Sequence, residues 1–194
     1  PNPDGENMTA PNADLLPAAI QAATKRTPVF PCTPQGKNPL TEHGFKDATT
    51  DWGTIRQWWA KWPAANLAIP TGERSGLFVL DVDKDDGKDG EAALLELTAK
   101  HGPLPATLEV KTPRGGRHLY FRHPGQKITT RTNHPAPALD VRGDGGLVVA
   151  PPSRHATGGK YQWSNQLPLA NLPDTTRALL AGQLDDQRRK HEKR

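Results

Sequence analysis

The stretch LFVLDVDKDDGKDGEAALLE, residues 77–96, sets acids at alternate positions, Asp81, Asp83 and Asp85, ahead of a glycine-containing turn. A calcium loop of the helix–loop–helix type has acids at loop positions 1, 3 and 5, Gly at 6 and Glu at 12. Counted from Asp81, those last two landmarks fall on Asp86 and Ala92. The run before Asp81 is also the strand-type "LFVL", entered from the turn signal "TGERSG", where a calcium loop needs a helix. The stretch therefore predicts a strand over 77–83. Period-2 alternation puts Leu77, Val79, Asp81 and Asp83 on one face, and Phe78, Leu80 and Val82 on the other. Two carboxylates so placed repel unless a cation or a base neutralises them, and they can chelate one hard cation. A plain strand end running into a solvated turn has the same pattern, so the pair acquires meaning only from partners elsewhere.

Working outward, residues 89–101 read as a helix with Ala92, Leu95 and Ala99 at apolar spacing and Leu94 beside them, stopped by Gly102 and Pro103. Upstream, residues 12–26 read as a helix with Asn12 as its cap, followed by the strand-like "TPVFP". The long loop after it contains Gly36 and Lys37, but Pro31 and Asn38 break the phosphate-loop pattern. "DWGTIRQWWAKWP", residues 51–63, predicts a helix capped by Asp51. Its Trp52, Ile55, Trp58 or Trp59 and Trp62 form a stripe assigned to the core. Downstream, two hairpins are predicted: 107–112 with 117–122 about "PRGG", and "ALDVRGDGGLVVAPPS" turned at "GDGG". Strands interleaved with helices and ending in hairpins indicate an α/β or α+β domain with a largely antiparallel sheet.

The hairpins carry the partners. Asp140 and Arg142 share a face opposed to Leu139 and Val141, His118 shares one with Tyr120 and Arg122, and Lys111 precedes a turn carrying Arg114 and Arg117. Singly these are ordinary surface or turn residues. Together, three acids with His, Lys and Arg on neighbouring strands suit a metal-bound polyphosphate, the acids holding Mg²⁺ or Mn²⁺ and the bases meeting phosphate oxygens.

Bulk properties narrow the classes. A chain of 194 residues suits one domain, and 34% hydrophobic residues with 18 Gly and 20 Pro make it rich in loops. It has no long apolar run and no signal-peptide pattern, which predicts no membrane span. The single Cys32 excludes a disulfide framework and a cysteine-rich zinc site, so an intracellular setting is expected. The final "RRKHEKR" holds five basic residues and one acid and so accounts for the whole net charge of +4. Overall charge is thus no argument for nucleic acid. "PNPDGEN" precedes the sole methionine, Met8. Residues 1–11 are accordingly read as an expression remnant or disordered leader, 12–172 as the catalytic domain, and 173–194 as a polar helix or linker toward further domains.

The runs "GFKDATTD…IRQWWAKWPAANLAIPTGERSGLFVLDVD", "KTPRGGRHLYF" and "LDVRGDGGLVVAPPSRHATGGKYQW" together resemble the bifunctional primase-polymerase domain of phage and plasmid replication proteins, within the archaeo-eukaryotic primase superfamily. The resemblance implies two fused α/β units, the second with an RNA-recognition-like sheet, and an active site in the cleft between them. It implies that Asp81 and Asp83 are metal ligands, Asp140 the third acid, and His118 a contact to the incoming nucleotide's phosphates. Two residues before that histidine, where relatives often carry a small hydroxyl residue, stands Gly116. Lys111, Arg114, Arg117, Ser153 and His155 are added as candidate nucleotide contacts from their place on the strands. The implied activity is template-dependent nucleotidyl transfer, as a DNA primase or DNA polymerase with two Mg²⁺ or Mn²⁺ and no zinc. The implied partners are a single-stranded DNA template, a primer and (d)NTPs, with a helicase domain in the longer protein. The implied setting is the cytoplasm of a bacterial or archaeal cell, from a phage or plasmid gene. A metal-dependent nuclease and a non-catalytic nucleic-acid or nucleotide binder remain as alternatives.

Overall fold

A computed structural model of the chain describes residues 15–85 and 87–182. Helix α1 (Leu15–Thr24) has Pro17 in its first turn, where the missing N–H has no helical partner to lose, and buries Leu15, Ala19 and Ala23 at four-residue spacing. Asn12 lies outside the described residues. Strand β1 (Phe30–Cys32) follows, then α2 (Trp52–Lys61), whose cap Asp51 accepts a hydrogen bond from Thr54 N–H at 2.7 Å. Ile55 and Trp59, one turn apart, are the buried stripe of α2. Trp52, expected in the core, is 45% exposed, with Arg56 against its ring at 5.8 Å. Three tryptophans at helical spacing span more of the helix circumference than one packing partner covers.

Next come β2 (Asn66–Pro70), β3 (Leu77–Val82), the short pair β4 (Lys84–Asp85) and β5 (Lys88–Asp89), and α3 (Gly90–His101). The remaining elements are β6 (Leu108–Lys111), β7 (Arg117–Arg122), β8 (Leu139–Arg142), β9 (Leu147–Val149), β10 (Gln162–Trp163) and α4 (Asp174–Leu180). Helix α3 is rotated from its expected facing. Leu94 and Leu97 are buried, whereas Leu95 is 71% exposed. The cause is at its first residue: a Cβ on Gly90 would stand 2.6 Å from Asp83 O and 2.7 Å from Ala138 O. Glycine lets the helix start against the sheet, and that contact fixes which side faces inward.

The strands form a three-stranded sheet, β1–β2–β9, and a five-stranded sheet, β10–β6–β7–β3–β8, antiparallel throughout. The fold is thus α+β, but its two units are interleaved along the chain, since β9 returns to pair with β2. The first predicted hairpin forms as β6–β7. The second does not: β8 pairs with β3 and β9 with β2, so "GDGG" is a crossover between sheets. Asp144 in that crossover accepts from Glu73 N–H (2.9 Å) and Ile128 N–H (2.8 Å), while the Thr71 hydroxyl donates to Gly143 O (2.7 Å). These bonds tie the turn to the β2–β3 connection and to the segment between β7 and β8.

One face of the five-stranded sheet packs with α1, α2 and the smaller sheet through Leu77, Val79, Val110 and Tyr120. The other packs under α3 and α4 through Phe78, Leu80, Val82, Phe121, Leu139 and Val141. Leu180 of α4 is fully buried there, so the segment expected from residue 173 to be a polar helix or linker begins as a helix that packs on the core through one side; residues 183–194 lie outside the described residues. Among the described residues no helix is long and apolar enough to cross a membrane.

Candidate functional site

Strand β3 lies between β7 and β8, and Asp81 stands directly opposite His118 on the first and Asp140 on the second. Val110 of β6 pairs with His118 in turn. Directly opposed residues share a face, so His118, Asp81 and Asp140 form one row across the sheet, each buried. Arg142, two residues beyond Asp140, turns its guanidinium onto the row. Its Nη2 is 2.7 Å from Asp140 Oδ2 and 3.2 Å from Asp81 Oδ2. Asp140 Oδ1 accepts from Asn133 N–H at 2.8 Å, and Asp81 Oδ1 faces His118 Nε2 at 3.4 Å.

His118 Nδ1 and the Tyr120 hydroxyl are buried without a hydrogen-bond partner among the described residues. Burial lowers the pKa of His118, Asp81 opposes that, and Lys37 and Arg142 add to it, so the ring is held neutral. Gly116 has a steric reason: a Cβ there would run into Val82 O and stand 3.2 Å from both Lys84 N and Thr112 Oγ1. No hydroxyl side chain fits at 116, and the Thr112 hydroxyl lies against that spot.

Asp83 follows the end of β3. Its N–H donates to Ala138 O (2.9 Å) and its carbonyl accepts from Gly90 N–H (2.8 Å), which fixes the backbone on both sides. Its carboxylate meets Lys88 Nζ at 3.0 Å, and Asp85 meets Arg114 Nη2 at 2.8 Å. Asp81, Asp83, Asp85 and His118 line one small cavity of about 80 Å³. Thr112, Arg114 and Tyr161 complete that side; Lys37 after β1 and His155 after β9 close it from the smaller sheet. The cavity therefore lies between the two units. Lys37 is held there because the Cys32 thiol donates to its carbonyl (3.3 Å) and Asn66 Nδ2 donates to Gly36 O (3.0 Å). Burial, then Lys37 and Arg114, lowers the pKa of His155; burial followed by Asp81 pushes the Tyr161 phenol up to about 12.

Of the residues singled out in the sequence, Asp81, Asp83, His118, Arg114 and His155 are thus brought together. Asp140 adjoins Asp81 but is engaged by Arg142 and does not line the cavity. Lys111 pairs with Arg117, and Arg117 with Val82, so both stand on the opposite face. Arg117 binds Glu91 of α3 at 2.6 and 2.7 Å and Glu109 at 3.1 Å, fastening the helix to the sheet, and is not a wall of the cavity. Ser153 is fully buried. Its hydroxyl accepts from Leu67 N–H (2.8 Å) and donates to Leu67 O (3.2 Å), joining the exit of β9 to β2.

Arg142, Lys37, Thr112 and Tyr161 were not among the expected residues. Alternation places Arg142 on the face of Asp140 without marking it as a site residue; the other three stand at loop or strand-end positions with no periodic signal. Among the described residues no group of three or more His, Cys, Asp or Glu is gathered closely enough to hold a metal ion by itself.

Among known protein families, the bifunctional DNA primase/polymerase N-terminal domain matches residues 19–175. Comparison with curated proteins gave no match.

Proposed function

The chain belongs to the bifunctional DNA primase/polymerase family, and from that premise we propose that the cavity between its two sheets joins nucleotides on a single-stranded DNA template. Membership implies primase or polymerase activity, with DNA and nucleotides as substrates. The observation that carries the finer reading is the cavity wall itself, where Asp81 and Asp83 stand beside His118, with Arg114 from one unit and Lys37 from the other.

The donor set fits Mg²⁺ or Mn²⁺. Such ions take hard oxygen ligands, commonly one or two carboxylates completed by substrate phosphates and water, so a preformed three-residue cluster is not required. Asp81 and Asp83 would hold the ion, and Asp140 could join only if Arg142 gave way. A bound divalent ion supplies charge neutralisation at the phosphates and a lowered pKa for an attacking hydroxyl. The chain's own residues do the rest. Lys37 and Arg114 converge on the cavity from opposite sides, as a polyanionic triphosphate requires. The ion pairs of Lys88 with Asp83 and Arg114 with Asp85 are formed by half-exposed bases, so those bases can exchange their carboxylates for phosphate at little cost. Neutral His118 directs one ring nitrogen toward Asp81 at the cavity, where it can donate to a phosphate oxygen. In the reaction the primer 3′-oxygen bonds to the α-phosphorus, the bond from that phosphorus to the bridging oxygen breaks, and pyrophosphate leaves.

The test is a template assay with Mg²⁺ or Mn²⁺, with ribo- or deoxyribonucleotides, and with or without primer. Products longer than the input that disappear in Asp83→Asn support the reading. Shortened DNA, formed equally without nucleotides, would replace it with phosphodiester hydrolysis.

A further inference from the structure

Asp81 and Asp140 are opposed on adjacent strands, both buried, and one guanidinium bridges them. Two carboxylates this close and this dry repel strongly unless a cation lies between them. Arg142 is that cation. Its exposure differs from theirs: the side chain is 25% exposed, against 8% for each aspartate. The guanidinium therefore has an outward path that the carboxylates lack.

The remaining carboxylate oxygens have partners other than Arg142. Asp140 keeps the Asn133 N–H on its second oxygen, and Asp81 keeps His118 against its own. Taking the arginine away would leave two preplaced carboxylates with their free oxygens turned toward one point. That is the donor arrangement a small divalent ion accepts.

We propose that Arg142 is a resident counter-cation, occupying the place between Asp81 and Asp140 that a divalent ion would take, and that it is displaced when the ion binds. Resting on the nucleotidyl-transfer reading, the released guanidinium becomes available to the polyphosphate. Metal and nucleotide then each favour the state the other binds, and the coupling is reciprocal.

The decisive variant is Arg142→Gln, which keeps much of the side-chain volume and removes the charge. Titration of the full chain with Mn²⁺, read by electron paramagnetic resonance without nucleotide, should show affinity raised about tenfold, because a buried acid pair stripped of its cation is left uncompensated. The metal-free variant should melt lower than the parent, and Mn²⁺ should restore it. Affinity for a non-hydrolysable nucleoside triphosphate should fall instead, and Mn²⁺ should enhance it by a smaller factor than in the parent. An Arg142→Gln chain that binds Mn²⁺ no more tightly than the parent overturns the proposal. If that variant does not fold, Arg142→Lys decides in its place: a point charge without the planar fork should raise Mn²⁺ affinity by a smaller factor, and an unchanged or lowered affinity overturns it equally. Asp81→Asn tests the underlying reading separately. Undiminished Mn²⁺ affinity in that variant would show that Asp81 holds no ion, whatever Arg142 does.

Discussion

The two faces of the five-stranded sheet are made by the same strands and are satisfied to very different degrees. Toward α3 and α4, Phe78, Leu80, Val82, Phe121, Leu139 and Val141 form a continuous apolar layer, with the Phe78 and Phe121 rings 5.6 Å apart. On that side Arg117 spends its guanidinium on two glutamates. Toward the smaller sheet the same strands present Asp81, His118, Asp140 and Arg142, with two buried polar atoms that lack partners among the described residues. Buried polar atoms without partners are rare in finished cores and concentrate where function needs them. Residue parity thus sets the two faces apart: one is a continuous apolar layer, and the other combines core packing through Leu77, Val79, Val110 and Tyr120 with a buried charged row.

If that division holds, substitutions on the two faces should separate stability from chemistry. Phe121→Ala empties a fully buried site on the apolar face and should cost about 3 to 5 kcal/mol in denaturant unfolding. The KM for nucleotide in the remaining folded protein should be unchanged; a comparable shift in KM would mean the faces are coupled. Asp81→Ala is the converse. Incorporation should fall on the order of a hundred- to a thousandfold, as when one transition-state electrostatic contact is lost, while circular dichroism and the melting temperature hold. Robust extension by this variant breaks the assignment of the polar face.

His118→Ala sharpens the comparison within the row. Losing one hydrogen bond to a charged phosphate costs about 1.5 to 3 kcal/mol, so the nucleotide KM should rise about ten- to a hundredfold with Mn²⁺ affinity kept. Lost Mn²⁺ affinity with an unchanged KM would make His118 an ion ligand.

The smallest effect is on pH. The folded pKa of His118 lies below its ordinary 6.5, so below that value the unfolded chain binds a proton that the folded chain refuses. The stability linked to this group is complete above its ordinary pKa and is lost as pH falls through it toward the lower folded value. His118→Asn should flatten that part of the stability profile. An identical acid limb in the parent and the variant would show that the ring is not held neutral.

Alternation made β3 and its row legible, because a one-residue step changes the face of a strand and the apolar neighbours declare which face is core. The same rule, applied to β7, would have put Arg117 behind the sheet; proximity in sequence to His118 concealed it. The facing of α3 was not legible, because its rotation is set by the contact of Gly90 with Asp83 and Ala138, which exists only in the folded chain. The "GDGG" signal correctly gave a turn but could not give its pairing, since the bonds that redirect it come from Thr71, Glu73 and Ile128. Lys37 reaches the cavity from a loop whose course is held by Cys32 and Asn66, and no local pattern encodes that.

The return of β9 to β2 also bears on how the chain can be made. Val149 pairs with Ala68, and Ser153 closes on Leu67, across about half of the domain's length. During vectorial synthesis β1 and β2 leave the ribosome long before the strand that completes their sheet. Until residue 149 has emerged, one side of β2 is an open edge of unpaired N–H and C=O groups, the kind of surface on which nascent chains pair wrongly. A chain arrested near residue 145 should therefore expose β2 to added strand-forming peptides, and one arrested well beyond Ser153 should not.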